Sequence, residues 1–457
     1  MATILPFKGL RYNPEKIKDI SKVITPPYDV ISEKERDDYY QLHPDNIIRL
    51  ILSKDLPGDD QSNNKYTRSS EFFDTWRKEE ILKEETEPAI YIYAQEFTLS
   101  GKKYIRRGFI SLVKLEDFQT GEIYPHEHTL AKPKEDRMNL MKACNANLSQ
   151  VFTFFEDDDS KISNLLHKVS GGDPETGVTP DIDFTDIYGV KNSLWVIKDK
   201  TFIEELILQM KNRALFIADG HHRYETALFY RDFINGSEKE QNSNGDSPSN
   251  YIMMMCVSME DPGLQILPTH RLARNVKDLD PEKIKSSLNE VFDVSDLGSD
   301  CDAETLTQKL SEDSHKHKIA MYIGESDKKF YILTLRDEKL LDPILTGEYV
   351  EWKSIDTGIL HGVIFDRALG IQAKNISKSE SVKYNQGIED SVAKVNEGEY
   401  QIAFFLNPTK IGQIKDIATK RHKMPPKATY FYPKLMTGMV VRHISDTWEQ
   451  AMAKGIS

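Results

Sequence analysis

Cysteine is scarce in this chain, and long apolar runs are missing. Three cysteines occur among 457 residues, and none of them forms a Cys-x-x-Cys pair. Zinc ribbons, thioredoxin-like motifs and disulfide scaffolds are therefore excluded, and such sparing use of cysteine is typical of a reducing compartment. The longest apolar run, residues 251–257, is far shorter than the roughly 20 residues that cross a bilayer. We therefore expect no membrane partner.

An excess of positive charge is also missing. The formal net charge is -13, which argues against a protein that binds the phosphate backbone of nucleic acids. We therefore expect no nucleic-acid partner. Residues 1–7 lack the apolar core of a secretory signal peptide, so we expect a cytoplasmic protein.

Several well-known catalytic signatures are absent from the sequence. It contains no Walker A run, no G-x-G-x-x-G opening a βαβ unit, no G-x-S-x-G elbow and no H-E-x-x-H. Phosphate binding by this chain would therefore require a different phosphate-binding motif.

What the sequence does contain is enough aromatic residues for a large core, with strand-like and helix-like patterns in uneven order. Short runs of β-branched and aromatic residues predict strands, as at 251–257. Apolar residues three and four positions apart predict helices, as at 221–234 and 382–396. The uneven order predicts a mixed α/β (α+β) fold rather than a regular doubly wound sheet.

The domain organisation is expected to have three parts. Residues 1–84 are expected to be an N-terminal segment that packs on the core, and residues 85–235 a phosphate-binding domain. Residues 251–457 are expected to form a C-terminal α+β domain. The polar stretch at 235–250 has almost no apolar residues and predicts a mobile, exposed loop.

The densest group of chemically useful side chains is Asp219-Gly-His-His-Arg223. An apolar strand pattern runs into Asp219 and Gly220, and a helical pattern opens at His221. This order places the positive end of a helix at a tight turn, where glycine lets a ligand approach the backbone. The turn therefore predicts a phosphate site formed by Gly220, His221, His222 and Arg223. The alternative is a structural turn capped by Asp219.

A second polar cluster covers residues 123–137. Pro125 and Pro133 predict a loop here rather than a continuous helix. Glu127 lies between His126 and His128. Side chains alternate between the two faces of an extended segment, so Glu127 would point away from both histidines. This disfavours a zinc site formed by the three residues. Glu127 is a candidate general base or Mg²⁺ ligand, and a solvated polar loop is the alternative.

These motifs resemble those of domain-of-unknown-function family 1015 over nearly the whole chain. The resemblance rests on the segments Thr25–Asp29, Pro125–Glu127, Asp219–Ala227, Leu267–Arg271 and Met424–Pro433. Residues 85–235 are also similar to the ParB/sulfiredoxin superfamily, whose members bind nucleotide phosphates at a comparable turn. The sulfiredoxin cysteine is replaced here by His221, and the chain shows no clear helix-turn-helix like that of the partition proteins. Free serine kinases are the most similar members.

The resemblance to free serine kinases implies a small-molecule kinase, a phosphotransferase with an alcohol group as acceptor. It would transfer a phosphoryl group from a nucleotide, ATP or ADP with Mg²⁺, to a small hydroxyl compound such as serine. Glu127 would be the base, and Asp219 would orient His222 or help to bind Mg²⁺. Candidates for pairing with the carboxylate of an amino-acid substrate are Arg137, His270 and Arg271.

Other functions stay open from the sequence. The same turn would serve a nucleotide-binding switch without net chemistry, or a nucleotide or phosphate-ester hydrolase that uses water as the acceptor. A non-catalytic assembly protein is the remaining alternative. The sequence does not determine the acceptor, the donor or the oligomeric state, and a homodimer is left open.

Overall fold

In the computed structural model, the chain divides into two units. The first contains Met1–Pro125, Thr129–Gln265 and Pro433–Ser457, and the second contains His126–His128 and Ile266–Tyr432. The structure describes residues 2–171, 178–237, 247–277, 279–313, 315–324, 327–372, 376 and 380–444.

Strands and helices are interspersed along the chain in uneven order. In chain order the strands are β1 (Ile4–Leu5), β2 (Leu10–Tyr12), β3 (Leu82–Glu84), β4 (Ile90–Leu99), β5 (Lys102–Lys114), β6 (Ile123–Tyr124), β7 (Ala146–Asn147), β8 (Val151–Phe155), β9 (Ile182–Thr185), β10 (Lys191–Ile197), β11 (Leu215–Asp219), β12 (Tyr251–Ser258), β13 (Gln265–Ile266), β14 (His270–Ala273), β15 (Phe292–Gly298), β16 (Lys318–Ile323), β17 (Lys329–Leu335), β18 (Val382–Asn385), β19 (Ile402–Leu406), β20 (Phe431–Tyr432) and β21 (Arg442–His443). The α-helices are α1 (Glu33–Leu42), α2 (Ile48–Ile51), α3 (Lys65–Lys78), α4 (Ala131–Cys144), α5 (Lys161–Ser170), α6 (Lys200–Met210), α7 (His221–Ser237), α8 (Pro281–Leu288), α9 (Ala303–Ser311), α10 (Asp356–Ile359), α11 (Ile388–Asn396) and α12 (Ile411–Thr419). A π-helical segment, Leu360–Ala368, follows α10.

The first unit is built on a mixed sheet, which among the described residues has nine strands. Their order is β6-β11-β8-β12-β5-β4-β10-β9, and β1 pairs with β5. Strand β11 runs parallel to β6, and β12 parallel to β8, whereas β4, β5 and β10 pair antiparallel. Every residue of β12 is buried, which explains the continuous apolar run at 251–257 without alternation.

The second unit has its own sheet and core. Among the described residues, six strands follow the order β15-β17-β16-β19-β14-β18, and the pairings are antiparallel. One core cluster of this sheet includes Trp352, Ile359 and Phe404, and another includes Leu306 and Phe405. The two sheets confirm the mixed α/β fold class. Within the described residues, no helix has both the length and the apolar character to cross a membrane.

Several local expectations differ from the structure. The helix expected at 382–396 is strand β18 followed by helix α11, because Gly387 separates the two patterns. The loop expected at 123–137 gives way to helix α4, whose third residue is Pro133, and proline is tolerated in a first helical turn. The loop expected at 235–250 begins inside α7, and residues 238–246 lie outside the described residues.

The two units also differ from the domain boundaries expected from the sequence. Strand β1 pairs with β5, so the first residues are part of the large sheet rather than a separate segment packed on it. Strand β21 pairs with β7, which returns the chain to the first unit after residue 433. Such pairings join distant parts of the sequence, and the composition of the chain does not reveal them.

Arg442 fixes the returning segment, and its removal should destabilise the first unit. The side chain is 1% exposed, and its guanidinium donates to the carbonyl of Pro248 (2.8 Å) and to the carbonyl of Tyr251. Arg442→Met would leave both buried oxygens without this donor, and we expect the free energy of unfolding to fall by about 2–4 kcal/mol. Urea unfolding followed by tryptophan fluorescence measures the change.

Arg231→Met is the control for this substitution. Arg231 pairs with the adjacent Asp232, whose side chain is 63% exposed, and we expect a loss of no more than about 1 kcal/mol. Equal stability of Arg442→Met and the wild-type protein would contradict the anchoring role.

Candidate functional site

The strand, turn and helix expected around Asp219 are present in the first unit. Strand β11 ends at Asp219, Gly220 has a φ of +92°, and helix α7 begins at His221. The pairing of β11 with β8 shifts register between Ile217 and Asp219, so the strand is irregular just before the turn. The N–H of Tyr224 donates to the carbonyl of Gly220 at 3.0 Å and closes the first helical turn. The N–H groups that precede this bond in the first turn of α7 have no carbonyl acceptor within the helix itself.

Gly220 is required here for both conformation and space. Its positive φ is one that residues with a side chain rarely adopt. A Cβ at this position would lie 2.9 Å from Cζ of Arg223, because the guanidinium folds back over the turn. Arg223 is held there by the carbonyl of Gln150 and, at 3.4 Å, by Oγ of Ser149.

Asp219 is the acidic group of the turn. Its carboxylate lies 2.9 Å from Nζ of Lys434 and 3.7 Å from the guanidinium of Arg223. Burial would raise the pKa of Asp219, but the charges of Lys434, Arg223 and His221 outweigh burial and hold this pKa well below its ordinary value. The carboxylate is therefore ionised at neutral pH and organises two cations beside the turn.

Hydrogen bonds to the backbone at and before Lys434 set the position of this residue. Arg106 donates to the carbonyl of Pro433 at 2.6 Å, and Gln95 donates to the carbonyl of Lys434 at 3.0 Å. Both donors are buried on the large sheet. These bonds fix the main chain, and the lysine side chain then reaches the carboxylate of Asp219.

Arg137 joins the same group of charges. Its guanidinium lies 3.9 Å from the ring centroid of Tyr28, donates to the carbonyl of Ile51 at 2.9 Å and pairs with Asp136. Burial raises the pKa of Tyr28, and the nearby charges of Arg137 and Arg223 oppose this effect. The segment that contains Tyr28 therefore lies beside the charges of the turn.

The two histidines of the turn differ in their surroundings. His221 is 3% exposed and acts on Asp219 through its charge. His222 accepts a hydrogen bond at Nε2 from the N–H of Leu130 at 2.9 Å, and so contacts the residue that precedes α4. Roles of either imidazole in phosphate binding or catalysis stay predictions.

Glu127 belongs to the second unit. It is half-buried, and its charge acts on Tyr384, whose pKa is raised by burial, lowered by Arg271 and raised by Glu127. The neighbouring His126 contacts Oγ1 of Thr429 at 3.0 Å through Nε2. Its carbonyl accepts from the N–H of Met424 at 2.8 Å. Two of the segments that carry the family resemblance therefore meet here.

Arg271 and His270 are also in the second unit, and both are buried. Arg271 donates to the carbonyls of Pro426 (3.1 Å) and Lys427 (2.9 Å) and, through Nε, to Nε2 of His361 at 3.3 Å. These bonds tie the segment around residue 426 to strand β14. They give Arg271 a structural task, and its binding of a substrate carboxylate stays a prediction.

The structure thus brings some of the predicted residues together and adds others. The turn from Asp219 to Arg223 and Arg137 lie in the first unit, whereas Glu127 and the pair at 270–271 lie in the second. Neither Tyr28 nor Lys434 is predicted from the sequence to belong to the site. The feature of the sequence that could have pointed to these two residues is the family resemblance. Tyr28 lies within the segment Thr25–Asp29, and Lys434 directly follows the segment Met424–Pro433.

Metal binding at Asp219 also stays a prediction. Among the described residues, no group of three or more His, Cys, Asp or Glu side chains is placed to hold a metal ion. Mg²⁺ that arrives with nucleotide phosphates needs only one or two protein carboxylates. Asp219 is the carboxylate of the turn, and it already pairs with Lys434 and Arg223.

Replacing Gly220 should damage both the turn and phosphate binding. Gly220→Ala would strain the backbone at φ +92° and push the Arg223 guanidinium away, at a cost of about 1–3 kcal/mol in stability. Gly58→Ala is the matched control, because Gly58 has a φ of +89° and a Cβ added there would have no atom within 4 Å. Thermal unfolding and titration with ATP compare the two variants. ATP affinity in Gly220→Ala equal to that of the wild type would contradict a phosphate site at the turn.

The buried His270 should make the second unit sensitive to acid. Burial, and then the charge of Arg271, lowers the pKa of His270 to about 4. Its ordinary pKa in the unfolded chain is about 6.5, so the unfolded state binds the proton more tightly and stability falls as pH drops from about 6.5 toward 4. At pH 5 this effect amounts to about 2 kcal/mol.

His270→Asn should therefore lose less stability than the wild type between pH 7 and pH 5. Denaturant unfolding at both pH values measures the difference, and His167→Asn, at an exposed position, is the control. The same acid sensitivity in His270→Asn and wild type would show that another group is responsible.

Comparisons with known proteins agree with the family resemblance. Residues 4–357 match the family described as "Protein of unknown function (DUF1015)". No curated protein matches the chain. Solved structures with some likeness include a free serine kinase in complex with AMP (11% identity, TM-score 0.33, covering 70% of this chain and 86% of that chain). They also include SbnI with a C-terminal truncation from Staphylococcus aureus (10%, 0.35, 76% and 97%) and a conserved hypothetical protein from Pyrococcus furiosus (13%, 0.32, 75% and 97%).

The likeness to these structures is distant, and at such scores it supports no argument about activity. The match to the family covers more than half of the chain and includes the turn at Gly220. The chain therefore belongs to the DUF1015 family.

Proposed function

We propose that the protein is a small-molecule kinase of the free-serine-kinase type. It transfers the terminal phosphoryl group of ATP or ADP to a small hydroxyl compound such as serine. The observation that carries the proposal is the left-handed turn at Gly220, at the start of α7, with the cations of Arg223 and Lys434 beside it.

The charges around the turn suit a phosphate group. Arg223 and Lys434 carry two positive charges against the one negative charge of Asp219, and the N-terminus of α7 adds a further positive field. Arg223 has its Asp219 partner at 3.7 Å, which is too long for a tight ion pair. Nucleotide phosphates would give this guanidinium anionic acceptors at a shorter distance.

The proposed chemical step moves one phosphoryl group from the nucleotide to the acceptor. The acceptor oxygen forms a bond to the terminal phosphorus while the bond to the bridging oxygen of the nucleotide breaks. Phosphoryl transfer depends mainly on positioning and charge neutralisation, which Arg223 and Lys434 supply. By the resemblance to free serine kinases, Glu127 would take the proton of the acceptor hydroxyl, and Asp219 would hold Mg²⁺ or orient His222.

Two substitutions separate binding from chemistry. Glu127→Gln removes the base, and we expect kcat for serine phosphorylation to fall about 100-fold or more while ATP still binds. Arg223→Ala removes a phosphate contact, and we expect the Kd for ATP to rise about tenfold or more. Phosphorus NMR of the product and calorimetric titration with ATP measure the two effects.

Glu135→Gln is the control, because Glu135 is an exposed carboxylate on α4. It should retain full activity. Release of inorganic phosphate without an acceptor would replace the kinase by a hydrolase, and ATP binding without any product would leave a nucleotide-binding switch. Full activity of Glu127→Gln would remove Glu127 as the base.

A further inference from the structure

A cavity of about 50 Å³ lies in the first unit, beside the first turns of α7. Its volume is enough for about four water molecules, or for a ligand of only a few non-hydrogen atoms. Its lining is mixed, with polar groups and apolar walls that include Arg137, Ser149, Arg223, Thr226, Leu140 and Ile252.

Thr226 is the side chain that indicates a ligand. It is 1% exposed, and within the described part of the chain its hydroxyl has no hydrogen-bond partner. Buried hydroxyls are normally paired, because an unpaired one loses its hydrogen bonds to water without replacement. Thr226 lies three residues after Arg223, so the two side chains share one face of α7.

The guanidinium groups of Arg137 and Arg223 indicate that the ligand is an anion. The side chains of Arg137 and Arg223 are only 10% and 12% exposed. Arg137 has Asp136 as a close partner, whereas the carboxylate of Asp219 lies 3.7 Å from Arg223. A cavity with two arginines and one close carboxylate has an excess of positive charge, which a small anion would neutralise.

We propose that this cavity binds a small carboxylic acid that also carries a hydroxyl group. Its carboxylate accepts from Arg137 and from the hydroxyl of Thr226, and its short carbon chain contacts Leu140 and Ile252. Arg223 lines the cavity and also lies against Gly220, so the cavity adjoins the phosphate turn. The inference rests on the proposed function in one respect, since it makes the bound acid the phosphoryl acceptor.

Direct binding tests the inference without any turnover. The full-length protein is titrated with glycolate, L-serine, ethylene glycol and inorganic phosphate in the absence of nucleotide, and binding is followed by calorimetry and ligand-observed NMR. We expect glycolate or L-serine to saturate one site, and ethylene glycol, which lacks the carboxylate, not to bind. Tighter binding of inorganic phosphate than of either acid would overturn the carboxylate assignment.

Two variants locate the site. Thr226→Val keeps the shape of the side chain and removes the hydroxyl, and the Kd for the acid should rise about tenfold, as expected for one buried hydrogen bond. Arg137→Met should raise the same Kd at least as much. Thr307→Val, at an exposed helical threonine of the second unit, is the control and should leave it unchanged.

The outcomes separate this inference from the proposed function. Unchanged acid affinity in Thr226→Val and Arg137→Met, or equal binding of ethylene glycol, would overturn the cavity assignment even if ATP binds. Acid binding that depends on Thr226, without phosphoryl transfer from ATP or ADP, would support the cavity and refute the kinase. Melting temperatures verify folding, and Thr226→Ala, which removes the same hydroxyl, replaces Thr226→Val if that variant does not fold, with the same expected loss of affinity.

Discussion

The left-handed backbone of Gly220 is the constraint on which the rest of the site depends. It lets strand β11 end and helix α7 begin with a single residue between them. The last carboxylate of the strand, the N-terminus of the helix and a guanidinium from its first turn therefore lie within a few ångströms of one another. A side chain at this position would strain the backbone and displace Arg223, so the conformation and the charge arrangement depend on the same glycine.

The proposed function requires an anion to bind beside charges that are already paired within the protein. Asp219 stays ionised because Lys434, Arg223 and His221 lower its pKa against the effect of burial. In turn, its carboxylate holds the two cations near the turn when no phosphate is bound. Phosphate oxygens would compete with Asp219 for cations that are already in place, and little side-chain ordering would be required at binding.

The sequence predicts those parts of the site that are formed by neighbouring residues. The order of an apolar run, Asp-Gly and a helical pattern is a local signal, and the structure has the strand, turn and helix where that signal places them. Lys434 is 215 positions from Asp219, and no periodicity in the sequence reports a contact over that separation. Local signals also mislead, as at 382–396, where strand β18 and helix α11 replace the single helix expected from the sequence.

The arginines of the chain show why composition and motifs alone do not identify a binding site. Arg271 and Arg223 both lie in segments that carry the family resemblance, and sequence reasoning treats them alike. Arg271 is 1% exposed and donates to backbone carbonyls and to His361, so its charge stabilises a loop. Arg223 has a backbone anchor at Gln150, a carboxylate only at 3.7 Å and a place in the lining of a cavity. A buried cation is a candidate binding residue when its neighbours do not supply a close anionic acceptor. Only the structure shows which neighbours it has.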